Sequence, residues 1–329
     1  MSDSDTSKPG TTDQGAEFPE RFRRYATGGF GERGKVWLKE LPGILERCCA
    51  KWNLTLGPAT DEIKGNYIAY VQTADGQDLV LKVGVPHRDF TTEMEALAIY
   101  AGRGINRLVE VDGQLNAMLL ERLKPGTMLA TAEMDRSEQF EIAAQIARQL
   151  HQTPPPSTHG LPHFNDWVES ALRDARDCGD IRRSHPYLEQ FPRVQSIMAR
   201  LLRPEEPQIL LHGDLHHWNI LLDGERGWMA IDPKGVIGAS CLDVGRFIGN
   251  AMGFGGSVSE RREILLGAIR GFSTALGESE ERMLAGAFCD RVTGCAWGLK
   301  GEEDEGEAEA RETLAMVVEI ASAINIERL

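Results

Sequence analysis

The stretch that decides the reading of this chain runs Ile209-Leu-Leu-His-Gly-Asp-Leu-His-His-Trp-Asn-Ile-Leu-Leu222, followed by Asp223-Gly-Glu-Arg-Gly227 and Trp228-Met-Ala-Ile-Asp-Pro-Lys-Gly235. Two apolar runs flank a glycine-rich turn, the pattern of a β-hairpin. Pairing Leu222 with Met229 sets Asn219 opposite Asp232 at the open end of that hairpin. An amide oxygen and a carboxylate then meet beside the loop that carries Asp214. Such oxygen ligands suit Mg2+, a hard cation that takes few protein ligands and completes its shell with phosphate oxygens and water.

The spacing Asp-x-x-x-x-Asn, with a further Asp on the next strand, is that of phosphoryl transfer. One Asp accepts the proton of the substrate hydroxyl, while the Asn and the second Asp hold the metal that bridges the phosphates. Those roles fall to Asp214, Asn219 and Asp232 in that order. A competing reading takes His212, His216 and His217 as transition-metal ligands of a metallophosphoesterase, since Asp214-x-His216 resembles the opening of such a site. That chemistry needs further histidines downstream, and none follows His217. The three histidines are therefore expected to pack and hydrogen-bond within the loop.

Working outward, the chain upstream reads as a small β-rich lobe. Apolar residues from Gly34 to Trp52 recur at helical spacing, interrupted at Pro42-Gly43, which predicts one broken helix or two short ones. Strands are expected from Leu54 to Gly57-Pro58, over Tyr67–Val71 and over Leu79–Val83, with an Asp75-Gly76 turn between the last two. A helix over Thr91–Ala101 and a strand over Ala117–Glu121 complete the order β-β-β-α-β, ended by the turn signal Pro125-Gly126. Beyond it the patterns are helical: 137–151, 166–177, 187–202, 260–276, 279–298 and 307–325. The expectation is an α+β chain with residues 1–20 flexible, a first lobe over 21–123 and a helical second lobe over 124–329.

Composition bounds the function. At 329 residues the chain is long for one core, which favours two domains. A formal net charge of -14 speaks against a nucleic-acid partner, because phosphate backbones are bound through Lys and Arg patches. The same acidity favours cationic small molecules. The six cysteines show no C-x-x-C spacing and are expected to be free thiols. No apolar run approaches the 18 or so residues of a membrane span, and Met1–Glu20 lacks the apolar stretch of a secretory signal, so no membrane partner and a cytoplasmic location are expected.

His212-Gly-Asp214 with Asn219, then Ile231-Asp-Pro-Lys-Gly235, resembles the aminoglycoside phosphotransferase family of kinase-like enzymes. The Asp-Pro-Lys-Gly form is similar to its streptomycin 6-phosphotransferase and hydroxyurea kinase branch. The likeness runs from about Leu54 to Trp297. Trp218 stands where the wider family has Gly, and Pro-Lys replaces the Phe-Gly that protein kinases carry after the metal-binding Asp. The resemblance implies a two-lobe protein-kinase-like fold with an antiparallel sheet in the first lobe and a Mg2+-dependent site for ATP or GTP between the lobes. It implies that Lys82 meets the α- and β-phosphates, that Glu93 or Glu95 is its partner acid with Glu93 preferred, and that Lys64-Gly65-Asn66 covers the phosphates. It also makes Glu121-Arg-Leu123 the hinge, where the backbone of Glu121 and Leu123 meets the base. Asp243 matches a second acidic position, expected to brace the loop. Arg122, Lys124 and Lys234 are candidates for the transferred phosphate, Lys234 foremost because it follows Asp232 by two residues.

The activity implied is transfer of the nucleotide γ-phosphoryl group to a hydroxyl of a small molecule, an aminoglycoside such as streptomycin or else hydroxyurea. The rivals are a kinase of another metabolite, such as an amino alcohol or sugar amine, and a nucleotide-binding module without turnover. Intact Asp214, Asn219, Asp232 and Lys82 speak against the last. The acidic run Glu302-Glu-Asp-Glu305, with Glu307 and Glu309, is either a solvated face or a contact for a cationic acceptor.

Overall fold

Helix α1 (Glu20–Trp52) opens the chain and continues through Pro42 without interruption; its break lies at Gly31, where φ is 56° and ψ is -131°. Glycine accepts that conformation readily, whereas proline in a helix interior costs about 3 kcal/mol. That cost is outweighed because Leu41, Ile44, Leu45 and Cys48 around Pro42 are all buried in one apolar cluster. The expected break at Pro42-Gly43 is thus replaced by one eleven positions earlier. The computed structural model describes residues 18–60, 65–252, 256–297, 299 and 307–323.

Strands β1 (Leu54–Ala59), β2 (Asn66–Thr73) and β3 (Asp78–Gly84) form the expected antiparallel meander. The β2–β3 turn carries Gly76 at φ 86°, which is why the Asp75-Gly76 signal was informative. Helix α2 (Arg88–Tyr100) follows, then β4 (Leu108–Asp112) and β5 (Ala117–Glu121), and the sheet order is β1-β2-β3-β5-β4. Strand β4 has no counterpart in the sequence reading. Its Val109, Glu110 and Val111 are all exposed, so it shows none of the alternation that marks a half-buried strand.

Beyond β5 come β6 (Pro125–Met128), α3 (Arg136–His151), α4 (Phe164–Asp177), α5 (Ile181–Leu188), α6 (Phe191–Leu201) and β7 (Ile209–Leu211). The motif region supplies β8 (Ile220–Asp223), β9 (Gly227–Ala230), β10 (Val236–Gly238) and α7 (Cys241–Met252). Three long helices close the chain: α8 (Val258–Leu276), α9 (Glu280–Trp297) and α10 (Glu307–Ala323). The expected helix over 187–202 corresponds to α6, which begins only at Phe191, after α5 has ended at Leu188, with Pro192 at an early position in it. Pro125-Gly126, read as a turn, begins strand β6, which pairs with β8.

The chain divides into two compact units, one up to Pro86 with Asp112–Leu119, the other His87–Val111 with Leu120 onward. The first has α1 against the meander, with Tyr67, Ala69, Val71, Leu79, Leu81 and Val83 in the core. Helix α2, which lies inside the stretch 21–123 read as one lobe, groups with the second unit. Its Glu95 carboxylate accepts from the Gly160 N–H at 2.8 Å, and its Tyr100 hydroxyl donates to the Leu210 carbonyl at 3.2 Å. In the second unit α9 is buried along almost its whole length, as a helix apolar on all sides must be, although it carries Asp290 and Thr293.

Candidate functional site

Two short strand pairs build the site. Strand β7 pairs with β10, and β8 pairs with β9, so the loop 212–219 linking β7 to β8 lies beside the turn 231–235 linking β9 to β10. The hairpin register differs by one from the expected pairing: Leu222 faces Trp228, Leu221 faces Met229 and Ile220 faces Ala230. The cause is a three-residue loop, 224–226, closed by Gly227 at φ 77° and by Asp223 Oδ1, which accepts from the N–H groups of Glu225 and Arg226. Asn219 therefore stands opposite Ile231, whose N–H donates to its carbonyl at 2.9 Å, and Asp232 is the next residue. Asp232 has φ 59°, a left-handed conformation that bends the chain out of the strand. A non-glycine residue held there is strained by about 1–2 kcal/mol, and such strain concentrates at working sites.

His212 joins the loop to the turn. Its Nε2 donates to the Ile231 carbonyl at 2.8 Å, its Nδ1 accepts from the Asp214 N–H at 3.2 Å, and its carbonyl accepts from the Lys234 N–H at 2.7 Å. With one ring nitrogen donating and the other accepting, the imidazole is neutral, and complete burial lowers its pKa in agreement. Both nitrogens are engaged by protein groups, which removes the basis for reading His212 as a metal ligand.

Behind the loop lies Asp243, at the start of α7. One carboxylate oxygen accepts from the Gly213 N–H at 2.7 Å, and the other from the His212 N–H and from His151 Nε2, each at 3.0 Å. Burial alone would raise its pKa, but the hydrogen bonds from His151 and from the Gly213 N–H hold it below the usual carboxylate value. The bracing expected of Asp243 is thus visible. His151 had no signal in the sequence.

Two glycines make this closeness possible. Gly213 has φ 78°, and a Cβ there would lie 2.7 Å from the Trp167 ring; Gly235 has φ 67°, and its Cβ would lie 2.7 Å from the Thr92 carbonyl oxygen and 2.8 Å from Ala96 Cβ.

Asp214 faces out of the loop. Its Oδ1 is 3.8 Å from His216 Nε2 and 3.7 Å from Arg246 Nη1, while its backbone carbonyl accepts from Asn219 Nδ2 at 3.0 Å. Because the amide nitrogen is spent on that carbonyl, the Asn219 side-chain oxygen points the other way. The side chains of Asn219 and Asp232 offer only oxygen donors, a set that fits Mg2+. His217 stacks on Phe247 with centroids 3.9 Å apart, and burial pulls its pKa down to about 3. It also lines a cavity of about 200 Å³ with Met134, Arg136, Gln139 and Phe140.

The nucleotide-binding candidates divide between the units. Lys82 lies on interior strand β3 and is only 2% exposed, so it is no solvated edge lysine. Glu93 is buried on α2, whereas Glu95 is committed to Gly160. Glu121 bonds through its side chain to Arg226 and to the Arg107 N–H, and its own N–H donates to the Arg107 carbonyl at 2.9 Å. Leu123 is buried. Lys64 and Glu302–Glu305 lie outside the described residues.

Comparison with known proteins gives the family of the chain. The family described as "Aminoglycoside/hydroxyurea antibiotic resistance kinase" matches residues 51–300. The streptomycin 6-kinase of Streptomyces griseus is 31% identical over 219 residues, 65% of this chain and 68% of that one. The hydroxyurea phosphotransferase of Kitasatospora aureofaciens is 29% identical over 313 residues, 93% of this chain and 84% of that one. In three dimensions the choline kinase LicA of Streptococcus pneumoniae superposes with a TM-score of 0.60 at 13% identity, over 87% of this chain and 100% of that one, which gives the kinase-like fold. The motif spacing, the fold and these likenesses agree, and the chain belongs to the aminoglycoside/hydroxyurea antibiotic resistance kinases, enzymes that phosphorylate hydroxyl groups of small molecules.

Proposed function

We propose that the protein transfers the γ-phosphoryl group of Mg2+-bound ATP or GTP to a hydroxyl group of an aminoglycoside, streptomycin first, with hydroxyurea as the second acceptor to test. The observation that carries the reading is the joint placement of Asp214, Asn219 and Asp232 on two adjacent connections, tied by His212 and braced by Asp243. Asp214 is the proposed base: it orients the acceptor hydroxyl and takes its proton as the bond to phosphorus forms. Asn219 and Asp232 are the proposed ligands of the metal, whose chemistry is to neutralise charge on the phosphate oxygens. Lys82 and Glu93, each buried in its own unit, are the proposed nucleotide-binding side chains. The carbonyl of Glu121 and the backbone of Leu123 are proposed to meet the base, since the Glu121 side chain and N–H are already engaged.

The acceptor follows from two supports, the likeness to streptomycin 6-kinase and the net charge of -14, which suits a guanidinium-bearing compound. The test is mass spectrometry after incubation with Mg-ATP, where streptomycin should gain one phosphate. If streptomycin stays unmodified while hydroxyurea or another hydroxyl compound is consumed, the acceptor assignment fails and the kinase remains. Asp214→Ala should lower turnover by about 10²–10⁴-fold with nucleotide still bound. Retention of more than about a tenth of the parent rate would remove Asp214 from the role of base.

A further inference from the structure

Helices α7 and α9 approach through glycine. A Cβ at Gly286 would fall well inside contact distance of the Cys241 carbonyl, and one at Gly245 would lie 2.5 Å from Asp290 Cβ. Backbones this close let a short acid on α9 reach a side chain of α7. Asp290 is 3% exposed, and its Oδ1 lies 3.4 Å from both Nε and Nη2 of Arg246. Its Oδ2 is buried with no hydrogen-bond partner among the described residues. Gly294, one turn further along α9, leaves room for the guanidinium: a Cβ there would lie 3.4 Å from Nη2. The remaining arm, Nη1, extends to 3.7 Å from Asp214 Oδ1.

The guanidinium is thus shared between a buried carboxylate that anchors it and the loop carboxylate. Anchoring alone would be met by the Asp290 contacts; the third arm is aimed at the residue proposed as base. Besides Arg246, Asp214 has His216 Nε2 3.8 Å from the same Oδ1; its hydrogen bonds are made by its backbone, through its N–H to His212 and its carbonyl to Asn219. Those bonds leave the side-chain torsions unset. We propose that Arg246, held by Asp290, is a positioning residue for Asp214, drawing Oδ1 toward itself so that Oδ2 is turned to the acceptor hydroxyl. The planar guanidinium suits this task because it presents fixed N–H groups to two carboxylates at once. The inference rests on the reading of Asp214 as base.

The test is steady-state kinetics of the full chain with Mg-ATP and whichever of streptomycin and hydroxyurea the parent phosphorylates, with calorimetric titration of nucleotide and thermal melting of each variant. Arg246→Ala should lower kcat by about 10–100-fold, the scale of a misplaced reacting group, with nucleotide affinity unchanged. Arg246→Lys should recover part of the loss, and added guanidinium ion should partly rescue Arg246→Ala. Asp290→Asn should lower kcat less. The double variant Arg246→Ala/Asp290→Asn should be no slower than Arg246→Ala alone, because Asp290 acts through Arg246. Multiplicative losses, absence of rescue in a variant that melts like the parent, or a loss confined to the nucleotide KM would overturn the proposal. If Asp214→Ala is inactive while Arg246→Ala turns over like the parent, this inference alone fails. If Asp214→Ala is itself active, the base reading falls first.

Discussion

Asp243 concentrates three hydrogen bonds on one buried carboxylate, two of them from backbone N–H groups of the loop. Replacing it with Ala leaves the His212 and Gly213 N–H groups buried without acceptors, each worth about 1–3 kcal/mol. Asp243→Ala should lose about 2–5 kcal/mol in urea unfolding and most of its activity, with Asp243→Asn intermediate. His217 gives a pH prediction. Burial holds its pKa at about 3, below the ordinary value of 6.5. Above pH 6.5 the ring is neutral in folded and unfolded chains alike. As pH falls from 6.5 toward 3 the unfolded chain takes a proton that the folded chain refuses, so stability declines by about 1.4 kcal/mol per pH unit. Between pH 7 and pH 5 this amounts to about 2 kcal/mol. His217→Phe keeps a ring against Phe247 and should flatten that decline by this amount in urea unfolding at the two pH values; an unchanged difference would contradict a neutral buried imidazole.

At the level of elements, the α7–α9 crossing decides where polar side chains of the second unit arrive. A methyl group at Gly286 would meet the Cys241 backbone, which cannot swing aside as a side chain can. Gly286→Ala should destabilise by about 1–3 kcal/mol or more, as overpacking does, and should separate Asp290 from Arg246. Gly28, in α1 with nothing within 4 Å of a Cβ there, provides the contrast. Gly28→Ala should be neutral or stabilise by about 0.5–1 kcal/mol, since alanine loses less backbone entropy in a helix. Paired urea titrations of the two variants check both expectations. The hairpin makes the complementary point. One loop residue more or less moves every later pair, so the apolar runs alone left the position of Asn219 against its neighbour uncertain by one.

For the whole molecule the net charge of -14 predicts how the acceptor arrives. Attraction of a multiply charged cation weakens as salt rises and the screening length falls from about 10 Å at 0.1 M toward 3 Å at 1 M. The KM for streptomycin should therefore rise with ionic strength, while that for neutral hydroxyurea should not; parallel kinetic series in NaCl separate the two. Chelation of Mg2+ should abolish turnover, and Asp232→Ala should bind Mg-nucleotide more weakly than Asn219→Ala because it removes a charge. Equal nucleotide affinities for the parent and Asp232→Ala in calorimetry would sink the metal assignment.

Much of this was legible in the chain itself. Asp214, Asn219 and Asp232 fall within 20 residues, on a hairpin whose strands and turn are written in local composition, and local geometry carries such information well. The long helix α8 was equally plain from its periodicity. What the sequence could not determine depends on burial or on partners far along the chain. Pro42 continues a helix only because the residues around it are covered. The burial of Lys82 follows only from the place of β3 inside the sheet. His151 meets Asp243 across 92 positions, and Asp290 meets Arg246 across 44. Neither pairing exists until helices pack, and the close approach of α7 to α9 through Gly245 and Gly286 is a property of two surfaces, which no single stretch of sequence contains.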